Sequence, residues 1–210
     1  MDPSDPAPEC AASGPPFPLS EPALLRVLTS AGVPAGRARQ FAGPLRDALA
    51  AHGLTSRAQL SHLLAQVLHE SARLRYVREV ASGRAYEGRR DLGNDRPGDG
   101  PRFRGRGLIQ LTGRANYTAF RDAMRQRYGA AEDRGDAPDF VASPKLVEGE
   151  RWAIESALWY WDRRVRPYAD REDRADVVRV TKAVNGGLNG FEDRLLLFMR
   201  VGAALRAEGL

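Results

Sequence analysis

Two glutamates nine residues apart carry the strongest chemical suggestion in this 210-residue chain. Glu70 lies three positions after Val67 and seven after Leu63, at the edge of an apolar stripe of Leu60, Leu63, Leu64, Val67 and Leu68. Between Ala58 and His69 no charged residue occurs, whereas a chain with 28% charged residues would place about three there. The helix carrying Glu70 is therefore expected to be enclosed on most sides. Apolar neighbours and the negative end of a helix dipole both disfavour the ionised form, leaving an acid able to protonate a leaving-group oxygen. Glu79 falls beyond the expected helix end, among Arg75, Arg78 and Arg84, whose charges favour the carboxylate that a base must be. Glycoside hydrolysis needs two carboxyl groups in opposite protonation states. The same residues also fit a helix-end glutamate paired with an arginine and a second glutamate on the surface.

The elements that position them follow from periodicity. Ser56 and Gln59 form a capping-box start for the central helix. Two amphipathic helices, Glu21 to Ser30 and Ala35 to His52, precede it, separated by Gly32 and Pro34. From Ser82 to Gly107 the chain is rich in glycine and arginine and reads as a long loop, a length that usually serves function. Leu108 to Leu111 is a candidate strand, with Thr112 at the N-cap position of a helix over Ala115 to Tyr128. Gly129 to Pro144 reads as polar and irregular. Further helices are expected over Gly149 to Arg164, Asp176 to Val184 and Glu192 to Glu208. Trp152, Trp159, Tyr160 and Trp161 favour core over a sugar platform, and Leu196, Met199 and Leu205 are packing candidates. The class is mainly α with a small β element, following a disordered or linker tail over residues 1 to 20.

Composition narrows the chemistry. A lone cysteine, Cys10, excludes an intramolecular disulfide. His69-Glu70 starts like a zinc-protease motif, but Arg73 stands where its second histidine belongs, and neither a metal nor a cofactor is implied. There is no G-x-S-x-G elbow or phosphate-binding loop, and Gly105-Arg106-Gly107 lacks the third glycine of a dinucleotide fingerprint. No apolar run approaches the roughly 20 residues of a membrane span, and the first residues do not read as a signal peptide. The net charge is +5, with 30 arginines and two lysines, Lys145 and Lys182. A basic surface favours an anionic partner, yet no nucleic-acid motif accompanies it.

Four segments together resemble glycoside hydrolase family 19: LAQVLHES, YVRE, YEGRRDLGNDRPGDGPRFRGRGLIQLTGRANY and VNGGLNGFEDR. The resemblance runs from about Pro22 to the C-terminus and points to the compact branch that holds phage-type endolysins. It implies a lysozyme-like, two-lobed helical fold and inversion without a cofactor. By the same resemblance Glu70 is the general acid, Glu79 the general base and Thr112 the residue that positions the attacking water. Glu87 is the rival base but fits the YEGR loop motif. Gln110, Asn116 and Asn185 match sugar contacts, Arg194 a cleft arginine supporting the acid, and His69 either lines the cleft or tunes Glu70. Thr112 as a helix cap, Asn185 as a left-handed C-cap and Arg194 as a surface arginine are the plain alternatives. Two departures stand out: Ala72-Arg73 follow Ser71 where many relatives have Gly-Gly, and Asn189 stands where plant-type members carry a glutamate.

The expected function is an inverting, endo-acting glycosidase on the β-1,4 bonds of an N-acetylglucosamine-containing wall polymer, peptidoglycan before chitin. The protein is expected to be a monomer without nucleic-acid partners, cytoplasmic until released to the wall. A chitinase is the first alternative. A non-catalytic wall- or nucleic-acid-binding protein on the same scaffold is the second, disfavoured because a binding module needs neither glutamate.

Overall fold

The computed structural model describes residues 17–129 and 137–210. The central helix is the third, α3 (Arg57–Glu70), after α1 (Glu21–Ser30) and α2 (Ala35–Ala51). Ten of its fourteen residues, Ala58 and Leu60 through Leu68, are buried, which is the enclosure that the missing charges predict. Four of these are leucines, each contributing about 2 kcal/mol by leaving water. Ser56 caps the helix, its hydroxyl accepting from Gln59 N at 3.2 Å. Among the described residues no return bond from the Gln59 side chain completes the box.

The next helices are α4 (Asp99–Arg102), α5 (Arg114–Tyr128), α6 (Glu150–Arg164), α7 (Arg174–Asn185) and α8 (Phe191–Ala207). Two cores result, and α6 divides them. Ile154, Leu158 and Trp161, at i, i+4 and i+7, join the larger core of α1, α2, α3, α7 and α8. Trp152 and Trp159, seven apart on another face, pack on the smaller core of Phe103, Leu111, Tyr117, Phe120, Met124, Phe140 and Val147. The fold is a mainly helical, two-lobed one.

Several local expectations are corrected. Leu108 to Leu111 forms a tight turn rather than a strand, closed by Leu111 N→Arg106 O at 2.7 Å. Among the described residues the β element is reduced to the single bridges Arg78–Arg106 and Arg106–Leu111. Leu108 is buried because its amide reaches Ala153 O on α6, so the apolar run anchors a turn. The N-cap of α5 is Gly113, not Thr112. On α8, Leu196 and Met199 are 43% and 61% exposed, while Leu197, Val201 and Leu205 line the core at i+4 spacing. Three consecutive leucines hide the phase of that helix from sequence. At the start, Leu19 is buried and Ser20 caps α1, so the fold includes residues ahead of the expected boundary at 20. Residues 1–16 of the expected tail, Cys10 included, and residues 130–136 of the irregular segment lie outside the described residues.

Away from the glutamates, His52 caps α2 between two carboxylates: Nδ1 is 2.6 Å from Asp162 Oδ2 and Nε2 is 3.2 Å from Glu155 Oε2. Tyr128 OH donates to the other Glu155 oxygen at 2.7 Å. Burial lowers the histidine's pKa, but the bonds to Asp162 and Glu155 outweigh it and the net direction is up. Burial raises Glu155 and Asp162, and the bonds from His52 and their other donors bring both below the ordinary carboxylate range. The stabilisation from His52 is thus present below its ordinary value near 6.5 and lost as pH rises through its raised folded value. That from the carboxylates is present above about 4 and lost as pH falls through their lowered values. The Tm of the wild type should therefore exceed that of His52→Gln most between about pH 4 and 6.5, the gap closing at higher pH. Calorimetry from pH 4 to 9 checks this; a gap that stays constant to pH 9 refutes the doubly bonded imidazolium.

Candidate active site

Glu70 is the last residue of α3. The apolar surroundings expected for it are not what it meets: Arg194 Nη2 donates to its Oε1 at 2.5 Å. Arg194 is 1% exposed, which rules out the surface-arginine alternative. Its other nitrogens reach Gln66 Oε1 at 2.5 Å and Asn189 O at 3.2 Å. Gln66 lies one turn before Glu70 on α3, so one guanidinium ties two side chains of the same helix face to α8. Among the described residues, Glu70 Oε2 accepts no hydrogen bond.

Beyond Glu70 the helix ends in an uncommon way. Ala72, Arg73 and Leu74 all take left-handed backbone, with φ of 48°, 60° and 60°. Each such residue costs about 1–2 kcal/mol when it carries a Cβ. The turn is held by Arg73 N→Leu68 O at 2.7 Å, Leu74 N→Ser71 Oγ at 2.9 Å and Arg37 Nε→Leu74 O at 2.5 Å. The departure Ala72-Arg73 thus sits where glycine would be unstrained. In exchange, the Arg73 guanidinium is placed on Asp193, bonding both carboxylate oxygens. Asp193 Oδ2 also holds His69 Nδ1 at 2.7 Å. Burial raises the Asp193 pKa, but Arg73 and His69 outweigh it and the net direction is down. Gly190, with φ of 70°, packs against the His69 ring so closely that any Cβ there would overlap Cε1 and Nε2. His69 is thereby fixed on α8, and among the described residues it makes no bond to Glu70.

Glu79 is partly buried just past the turn. Its carboxylate accepts from Tyr86 OH at 3.1 Å and from Gly105 N at 3.0 Å. A phenol and an amide therefore take the place of the arginines expected around it; Arg78 turns instead towards Glu148, 3.9 Å away. Burial and the nearby Glu79 charge together raise the Tyr86 pKa. A Cβ at Gly105 would lie 2.7 Å from Gln110 Oε1 and 3.1 Å from Glu79 Oε2, so a larger residue there would displace the Gln110 side chain. Glu87, the rival base, accepts from Gly98 N at 2.6 Å and Gly100 N at 2.8 Å. Its two oxygens brace the long loop.

Gln110, Thr112 and Asn116 come together around a recess of about 190 Å³ with Ile109, Trp159 and Tyr160. Thr112 Oγ1 donates to Gln110 O at 2.8 Å, and Asn116 Nδ2 to Thr112 O at 2.7 Å. Gln110 itself is left-handed at φ of 59°, a strain that fits a functional turn. Tyr160 lines this recess; burial raises its pKa, Arg164 opposes the rise and the Glu70 charge adds to it. Its hydroxyl donates to Ala183 O near the end of α7. Asn185 is the exposed last residue of α7, and Gly186 rather than Asn185 is the left-handed cap. It shares no hydrogen bond with the other site residues among those described.

The structure thus joins Glu70 to Arg194, Glu79 to the Gly105 segment, and Gln110, Thr112 and Asn116 to one recess. No protein-family model matches the chain. A glycosyl hydrolase family 19 domain-containing protein of Haemophilus influenzae is 35% identical over 120 residues, 57% of this chain and 51% of that one. An endochitinase of Arabidopsis thaliana is 31% identical over 135 residues, 64% of this chain and 42% of its own. Chitinase C from Streptomyces griseus HUT6037 superposes with a TM-score of 0.64 over 92% of this chain and 95% of that one, at 24% identity. The family this chain resembles is glycoside hydrolase family 19. The matched segments span about half the length of the curated relatives, and the likeness to the Streptomyces enzyme is one of fold. The structure adds Gln66, Arg73, Tyr86 and Asp193 to the hydrogen-bond network around the candidate residues and Tyr160 to the recess lining, places for which sequence did not single them out. Gln66 had a signal, a polar residue inside an apolar helix four positions before Glu70. Tyr86 and Asp193 lie inside the motif blocks without a chemical signal of their own. Among the described residues no group of three His, Cys, Asp or Glu side chains is arranged to hold a metal, and no helix is long and apolar enough to cross a membrane.

Proposed function

We propose that this chain is an inverting, endo-acting glycosidase that hydrolyses β-1,4 bonds of an N-acetylglucosamine-containing cell-wall polysaccharide, with peptidoglycan its preferred substrate. The observation that carries the reading is Glu70 held at the end of a buried helix by the buried Arg194, its second oxygen accepting no hydrogen bond among the described residues. In this reading Glu70 Oε2 carries the proton to the glycosidic oxygen. Glu79, steadied by Tyr86 and Gly105, takes a proton from water, and that water attacks the anomeric carbon from the opposite face. Thr112 donates its proton to Gln110 O, which leaves its oxygen lone pairs to accept from the water. Gln110 and Asn116 supply amides for N-acetyl and hydroxyl groups, Trp159 and Tyr160 supply apolar faces, and Asn185 contacts the polymer further along.

The basic surface supports an anionic wall polymer as substrate. The endochitinase names of the plant relatives favour the second reading, a chitinase on neutral polymer. Purified peptidoglycan and chitin oligomers assayed side by side separate the two, with proton NMR of the first-formed anomer reporting stereochemistry. Clearing of peptidoglycan with α-anomer formed first is the expected outcome. Cleavage confined to chitin oligomers makes the protein a chitinase, and a β-anomer formed first refutes inversion.

A further inference from the structure

The segment that presents Gly105 to Glu79 also borders an open recess of about 630 Å³, lined by Arg102, Arg104 and Arg106 on one wall and Ser143, Lys145 and Leu146 on the other. Among the described residues its lining holds four cationic side chains and no carboxylate. Two of the four have clear structural work. Arg106 is buried, with Nε on Glu148 at 2.8 Å and Nη1 on Arg102 O at 2.8 Å and Tyr117 OH at 3.1 Å. Arg102 Nη2 clamps the facing wall through Val141 O and Ala142 O, at 3.0 and 2.9 Å. The other two are unaccounted for. Arg104 makes one long bond, Nη1 to Ala81 O at 3.4 Å, and its Nε is buried with no partner among the described residues. Lys145 makes no ion pair among the described residues.

Gathered like charges repel, and an oxyanion between them relieves that repulsion. Arginine beside lysine is the donor set that carboxylates and phosphates take. We propose that this recess is an oxyanion-binding site. Resting on the wall-polymer reading above, its occupant is a carboxylate on the peptide part of peptidoglycan. Arg104 immediately precedes Gly105, whose amide holds Glu79, so a polymer lying along Glu79 brings its substituents to this recess. Chitin bears no such group, so the site sorts charged wall polymer from neutral chitin.

Titration calorimetry in a Glu70→Gln background, where nothing bound is cut, tests the site. The probes are a soluble disaccharide-peptide fragment of peptidoglycan, chitotetraose and inorganic phosphate. Arg104→Gln/Lys145→Gln should bind the fragment at least tenfold more weakly than the parent and chitotetraose equally well. The parent's affinity for the fragment should fall with added salt and the variant's should not. Lys145→Glu, at an exposed position, should weaken fragment binding in the same direction and covers failure of the double variant to fold. Equal fragment binding by all three proteins overturns the site. Tighter binding of phosphate than of the fragment overturns the assigned occupant. If peptidoglycan is not cut by the wild type but fragment binding depends on Arg104 and Lys145, the catalytic reading fails and the site stands; cleavage with fragment binding indifferent to both residues is the reverse.

Discussion

Glu70→Gln is expected to lower kcat on the preferred polysaccharide by about 10³-fold, within the 10²–10⁴ range for loss of a general acid. The amide keeps an oxygen where Arg194 Nη2 now finds Oε1, so the helix end stays in place and KM should change by less than about threefold. What is lost is the proton on the second oxygen, which glutamine does not deliver to a leaving group. Reducing-end release measured beside a thermal melt separates chemistry from folding. A variant within tenfold of wild-type turnover would remove Glu70 from the reaction.

Arg194→Met should damage both stability and turnover. Methionine fills the buried volume, but Glu70 loses its cation and the buried Gln66 amide loses its donor. Breaking a buried pair from one side costs about 3–5 kcal/mol; because Glu70 is 22% exposed and reaches water, about 2–4 kcal/mol is expected here. For a chain of this length the corresponding drop in Tm is roughly 4–16 °C. Turnover should fall by about 10²-fold or more, since the acid is no longer held in place. In the cycle with Glu70→Gln the stability losses should be smaller together than their sum, because the first change has already removed much of what the second would lose. Additive losses would mean that Arg194 acts through Gln66 and Asn189 alone.

Much of the helical plan is legible because it depends on short-range physics. The bounds of α1 match the amphipathic stretch Glu21 to Ser30, and α3 announces itself by a charge-free run that needs an all-round core. Trp152, Trp159 and Trp161 read as one core-favouring cluster by sequence, yet the first two pack on a second core and Trp161 on the first. What failed did so where distant partners decide. Leu108 to Leu111 looks like a strand by composition, yet α6 holds it as a turn. Leu196 and Met199 are as apolar as their buried neighbours and face water only because α3 packs on the other side of α8.

The sequence by itself determined the nature of the candidate site: two glutamates nine apart, the motif blocks around them and a mainly α scaffold. Only the tertiary structure decided their settings. Glu70 meets Arg194 across 124 positions of chain, and Glu79 meets Gly105 across 26. The charge environment of a carboxyl group is set by whatever lies within a few ångströms, and local spacing does not encode which distant residue that will be. The same reason placed Arg104 and Lys145, 41 residues apart, at one recess that no stretch of the sequence marks out.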